Sequence, residues 1–177
     1  MTIVGGLRSR LVYDSVWNMI NDALTSIGWF DAGREHEDLT FLPEPVDPDE
    51  EVKLNTVVLT AEDAGTFDIE VGSQFADHNR TFYVDIYAEN YSLGEHLAFD
   101  LRDIIEGRWP SHGRDYPGTH IYDYTQGTPP TIGFLEFDFV TVDRAIQSGQ
   151  FVKPWQKYWW SIAFTATDSY GDENDDA

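Results

Sequence analysis

The sequence predicts an α+β fold, a mostly antiparallel but mixed β-sheet flanked by two main helices, in the order α-β-β-β-α-β-β-β. Three observations predict it. Apolar residues recur at three-and-four spacing in only two long stretches, about residues 5 to 28 and 92 to 108. They alternate with polar residues at period two over 53–61, 66–76 and 82–89, and again over 120–124, 133–143 and 155–168. Short polar turns join the strands of the first group and the segment Arg144 to Pro154 joins the last two, which suits antiparallel neighbours in both.

In the first helix Val12, Val16, Met19, Ile20, Ala23 and Ile27 share one face, with Arg10, Asp14, Asn18, Asn21 and Asp22 on the others. Gly28 stands where a left-handed cap ends a helix, and the aromatic pair Trp29 and Phe30 just beyond it is expected to lock the helix onto a sheet. From Asp31 to Glu51 the pattern breaks. Pro43, Pro45 and Pro48 interleave with Glu44, Asp47, Asp49, Glu50 and Glu51, so the segment reads as a long, extended, acidic loop whose proline-rich part is 40–51. Loops of this length in compact domains are uncommon and often functional.

The strands 53–61 and 66–76 are separated by Glu62-Asp63-Ala64-Gly65, and Asp77-His78-Asn79-Arg80 leads into the third. Both tetrads have the composition of reversing turns, so the three strands are expected to form an antiparallel meander. The third strand, with Phe82, Val84, Ile86 and Ala88 on its covered face, feeds the second helix directly. Ser92 and Glu95 read as a capping box at its start, Leu97, Leu101, Ile104 and Ile105 form its apolar face, and Gly107 and Pro110 stop it. Beyond it, 111–118 and 126–130 are loops around the short strand 120–124. In the last strand Tyr158, Trp160, Ile162, Phe164 and Ala166 share one face, which leaves Trp155, Lys157 and Trp159 on the other. Residues 1–167 read as one domain and 168–177, with five acids and no apolar run, as a flexible acidic tail.

Composition narrows the function classes. At 177 residues the chain can bury about two thirds of its unfolded surface without staples. Its lack of cysteine excludes disulfides, thiolate metal sites and cysteine nucleophiles. No apolar run approaches the ~20 residues of a membrane span, and no signal peptide opens the chain, so the expectation is a soluble protein of intracellular origin with no membrane partner. The 32 acidic against 11 basic residues give a formal charge of −21, which repels nucleic acid, because duplex binding depends on Lys and Arg neutralising phosphates. An acidic wall past which DNA slides without sticking is compatible with that balance.

Candidate chemistry is sparse. His36, His78, His96, His112 and His120 show no metal-ligand spacing, and there is no HExxH, GxSxG, phosphate-binding loop or GxGxxG. Glu136 and Asp138 lie two apart on one strand face, as a carboxylate pair for acid-base chemistry could, but such pairs arise by chance in so acidic a chain. No catalytic, cofactor-binding or metal residue is assigned, no cofactor is expected, and the chain is read as a non-enzyme.

The succession VYDSVWNMINDALTSIGWFDAGREH (12–36), VGSQF (71–75), FYVDIYAENYSLGEHLAFDLRDIIEGRWPS (82–111), TPP (128–130) and KPWQKYWWSIAFTATDSY (153–170) resembles the tail terminator proteins of long-tailed phages of actinobacteria. The resemblance spans nearly the whole chain, and its motifs are structural rather than chemical. It implies helices flanking a β-sheet, and a homo-hexameric ring that caps the finished tail tube and meets the neck. The implied partners are further copies of itself, the major tail tube protein and the head-tail connector or stopper protein, with genomic DNA passing through unbound. The implied location is the virion neck, assembled in the host cytoplasm. Neighbouring neck and tail-completion proteins share these features, and a monomeric acidic binding domain that mimics DNA, or a small acidic enzyme, are the other classes. Subunits of a ring need heterologous contacts, for which extended loops and exposed rings are suited. The candidate interface residues are Phe41, Pro43, Pro45 and Val46 of the loop, Trp155 and Trp159 of the last strand, and Tyr170 of the tail.

Overall fold

The computed structural model describes residues 5–31, 39–43, 53–68, 76–108, 117–146 and 157–169. Its elements run α1 (Gly5–Ile27), β1 (Thr40–Leu42), β2 (Thr56–Asp68), β3 (Ala76–Tyr87), α2 (Tyr91–Ile105), β4 (Gly118–Tyr122), β5 (Thr131–Ile146) and β6 (Tyr158–Ser169). This is the expected α+β order. The six strands form one mixed sheet, β1-β2-β3-β6-β5-β4, in which β1 is parallel to β2 and every other pair is antiparallel.

Both helices lie on one face of that sheet. α1 packs chiefly against β4, α2 against β6, β5 and β3, and the helices touch each other. The register shows why a core forms between the layers. Leu59, Val84, Ile162 and Val142 stand level across four strands, and Val57, Ile86 and Trp160 across three, so the apolar half of each alternation points the same way. Phe82 stacks on its cross-strand partner Phe164 at 5.4 Å, and Phe137 meets Phe164 edge-on at 4.9 Å, which makes an aromatic row across β3, β6 and β5. Leu11, Val12, Val16, Met19, Ile20, Ala23 and Leu24 from α1, and Leu97, Leu101, Ile104 and Ile105 from α2, close the core from above.

Both helices end as their glycines predict. Gly28 (φ 82°) and Gly107 (φ 69°) are left-handed. The N–H of Trp29 reaches Leu24 O at 2.9 Å and that of Arg108 reaches Asp103 O at 2.9 Å, the six-to-one bond of a Schellman cap. Trp29 is buried, but it locks α1 onto α2 rather than onto the sheet: its Nε1 donates to Asp100 at 2.9 Å, with its ring edge-on to His96.

Several expected boundaries are corrected. α2 is capped by Asn90, not Ser92. Asn90 is extended (φ −143°, ψ 164°) and its Oδ1 accepts the Leu93 N–H at 3.0 Å, while Glu95 is taken by the Tyr91 hydroxyl at 2.8 Å. Ser92 therefore sits inside the first turn. No turn occurs at 62–65. β2 runs straight through, paired with β3 on both sides, and the surplus residue is absorbed as a bulge between Asp63 and Thr66. Residues 77–80 are likewise strand, and Arg80 is buried, its Nη1 donating to the Ser9 carbonyl at 2.9 Å and hydroxyl at 2.8 Å. The extended segment after α1 is not wholly loop, since Thr40–Leu42 pair with Thr56–Val58 as β1, and residues 44–52 lie outside the described part. That first strand is parallel, so the three strands before α2 are not a pure antiparallel meander. Finally, Asp168 belongs to β6 and is buried rather than opening the tail.

Two substitutions test this account. Asn90→Ala should cost about 1 kcal/mol of unfolding free energy and Ser92→Ala almost nothing, read from denaturant midpoints. A Cβ on Gly94 would stand 2.0 Å from the Trp160 ring, so Gly94→Ala should lower stability by about 1–3 kcal/mol and the melting temperature by about 2–12 °C.

Candidate interaction surface

The side of the sheet away from the helices carries the other half of each alternation. Its centre is Thr60, Tyr83, Asp85 and Tyr87 from β2 and β3, beside Trp159, Ser161, Ala163 and Thr165 from β6. These side chains are half-buried, and they form a low surface of small residues bordered by rings.

Asp85 is the one carboxylate placed centrally there. It stands level with Ser161, two register positions from the Tyr87–Trp159 pair and on the same face. Burial pushes its carboxyl above the ordinary 3.8, and the hydrogen bonds it accepts from the Ser161 hydroxyl and the Trp159 indole pull in the opposite direction. The same burial, with the Asp85 charge beside it, raises the Tyr87 phenol above 10.0. Two donors and a neighbouring ring hold the carboxylate in place, so it fixes Trp159 against the sheet.

The expected interface residues therefore separate. Trp159 is on the open side, but it is half-buried and tied to Asp85 rather than standing clear. Phe41 turns to the helix side, where its ring meets Trp17 of α1 at a centroid distance of 4.0 Å. Pro43 is exposed, and its carbonyl shares the Tyr13 hydroxyl with the Leu59 carbonyl, the latter at 2.7 Å, so this end of the loop is moored to α1 and β2. Pro45, Val46, Trp155 and Tyr170 lie outside the described residues.

Glu136 and Asp138 do share the open face, both exposed, across from Thr167 and Thr165. His96 faces Asp100 at 3.7 Å on α2, and His120 stacks edge-on with Phe134 and Tyr122 at the far end of the sheet. Among the described residues no group of three His, Asp or Glu could hold a metal ion, and no helix is long and apolar enough to cross a membrane.

The periodicity did not single out the outer flank of β5. A bulge between Asp138 and Thr141 puts Phe139 in a left-handed conformation (φ 54°) with 82% of its surface exposed, and Val142 and Ile146 follow at 40% and 55%. Phe99 of α2 is also exposed. Strict alternation would have placed Phe139 beside Phe137 in the core, and nothing in the residue types announces the extra residue that turns it out.

Comparison with known protein families and with curated proteins finds no match to this chain.

The Asp85 environment gives a pH prediction. A carboxyl whose folded value lies above its unfolded one favours folding while protonated, and that contribution is lost as pH rises from 3.8 through the folded value. Asp85→Asn retains an acceptor and cannot ionise. Its stability relative to the parent should therefore improve between about pH 3 and pH 7, as measured by denaturant unfolding at each pH. A difference that stays constant, or moves against the variant, would refute the burial argument.

Proposed function

We propose that this chain is a structural virion protein of a long-tailed phage, a tail terminator whose copies form a ring that caps the tail tube and joins it to the head-neck connector. The observation that carries the reading is the extended resemblance to such proteins. The described parts of its segments 12–36, 82–111 and 153–170 fall on α1, on β3 with α2, and on β6, elements that contribute to the core. The resemblance implies helices flanking a β-sheet, and a mixed sheet with two helices packed against it is compatible with that. The composition supports the same reading from a separate direction, because a ring of subunits each carrying −21 offers departing DNA a repelling wall rather than a binding site. In such a ring the chain works by shape and contact.

A neighbouring neck or tail-completion role shares all of this, and one experiment separates the two. Tubes assembled from the major tail tube protein are incubated with the purified chain and viewed by negative-stain electron microscopy. A ring-shaped cap at one tube end, with growth halted there, is expected. Bare ends with binding only to connector assemblies would assign the neighbouring role, and binding to neither would end the proposal.

Charge sets a second expectation. Copies this acidic repel one another, and that repulsion is screened as the Debye length falls from about 20 Å in ~20 mM salt to about 4 Å in ~0.5 M. Sedimentation velocity should therefore show self-association strengthening with salt, and weakening would contradict contacts dominated by backbone and apolar groups.

A further inference from the structure

Besides the outer sides of the short terminal strands β1 and β4, the sheet leaves two longer strand edges unpaired among the described residues, and they lie at diagonally opposite corners. β4 covers β5 only from Thr131 to Glu136, with Pro117 O taking the Phe137 N–H, so the outer edge from Asp138 to Ile146 has no neighbour. β1 covers β2 only from Thr56 to Val58 and the Tyr13 hydroxyl takes the Leu59 carbonyl, so among the described residues the outer edge from Thr60 to Asp68 has no strand neighbour either. Unpaired edges of this length invite another strand.

We infer that these two edges are partners for each other in trans: the free half of β5 in one copy pairs with the free half of β2 in the next. This rests on the ring reading above and specifies its contact. Three features choose a second copy of this chain as the occupant. The first is direction. β2, β3, β6 and β5 alternate in sense, so a second copy that continues the sheet brings its β2 antiparallel to the first copy's β5, the same arrangement as in the interior.

The second is shape. Each free edge contains a bulge of one extra residue, between Asp63 and Thr66 on β2 and between Asp138 and Thr141 on β5. A bulge bends its strand and increases its local twist, and an edge with the same irregularity can follow that course. Setting the two bulges side by side brings Ala61 and Glu62 opposite the Thr141–Val142 region. The third is the apolar flank, since Phe139 and Val142 beside the β5 edge lose exposed surface when a strand is added. The contact uses different surfaces on its two sides. It therefore propagates from copy to copy and closes into a ring under a suitable rotation, whereas β5 paired with itself would stop at a dimer.

The lack of cysteine makes a direct test possible, because oxidation links only thiols that are introduced. Two double variants use exposed positions on matching faces: Ala61→Cys with Val142→Cys on the helix side, and Glu62→Cys with Thr141→Cys on the open side. Each is oxidised at the salt that supports assembly and run on a non-reducing gel. A ladder of covalent multimers from at least one double variant, with the corresponding single variants remaining monomeric, is expected. Covalent dimers from Thr141→Cys or Val142→Cys alone would show β5 meeting β5 and overturn the inference. Rings by sedimentation without a ladder from either double variant would overturn it and leave the ring proposal standing, while absence of both rings and ladder would overturn both. As an independent readout, Phe139→Asp should weaken self-association at least about tenfold with little change in melting temperature. Unchanged association would count against the β5 flank as the contact.

Discussion

Everything in this molecule depends on β3 pairing with β6. The two strands are far apart in the chain, yet they are neighbours at the centre of the sheet, aligned from His78 with Asp168 to Tyr87 with Trp159. That register places Phe82 on Phe164 and Val84 beside Ile162, which gives α2 a continuous apolar floor. It also places Asp85 beside Ser161 on the other side. A slip by one residue would exchange the two faces and destroy both at once. The helices are consequences of this pairing more than causes of it. α2 follows β3 after a short connection and folds back over the floor, with Gly94 allowing it to settle onto Trp160. α1 adds its apolar face to the same core and is tied by polar contacts as well, where Ser15 accepts the Tyr122 N–H at 3.1 Å and Trp29 reaches Asp100.

Much of this was legible in the residues, and the parts that were not share a cause. The helical faces were readable because amphipathic periodicity and a glycine stop are local signals, and Val12, Val16, Leu97 and Leu101 are buried as their spacing requires. Strand ends were misread wherever polarity came from an edge rather than from a turn. Glu62 has turn composition yet is an exposed residue of a strand edge with no neighbour among the described residues, and a sequence does not distinguish such an edge from a reversal. The cap of α2 went to Asn90 because both Asn and Ser suit that role, and the deciding factor was that Tyr91 draws Glu95 away while Arg144 of β5 holds the Tyr91 hydroxyl at 2.7 Å. That constraint arrives from a strand more than fifty residues downstream.

The candidate surface was legible only as a list of types. Alternation placed Asp85 on the wetter face of its strand and Trp159 away from the core, and both placements hold. Their union required the β3–β6 register, which no local pattern encodes. Phe41 shows the opposite case. An aromatic in a proline-rich acidic segment looks available to a partner, but the parallel pairing of β1 turns its ring inward onto Trp17. The flank of β5 was hidden because a single surplus residue reverses the parity of everything after it, and Phe139 then lies outside a pattern that its neighbours on either side obey.

The long separation between the two central strands also governs how the molecule is made. About seventy residues of synthesis lie between Tyr87 and Trp159, which at 5–20 residues per second leaves a growing chain for roughly 4–14 s with β3 emerged and its permanent neighbour still untranslated. During that interval the Phe82, Val84 and Ile86 side chains have α1, α2 and β2 to shelter them but not β6. The nascent protein passes through a period when the middle of its future sheet is a bare margin, open to chaperones and to the same margin on adjacent ribosomes of one message. Only when β6 slides into that gap does the middle of the sheet close and its apolar floor become continuous.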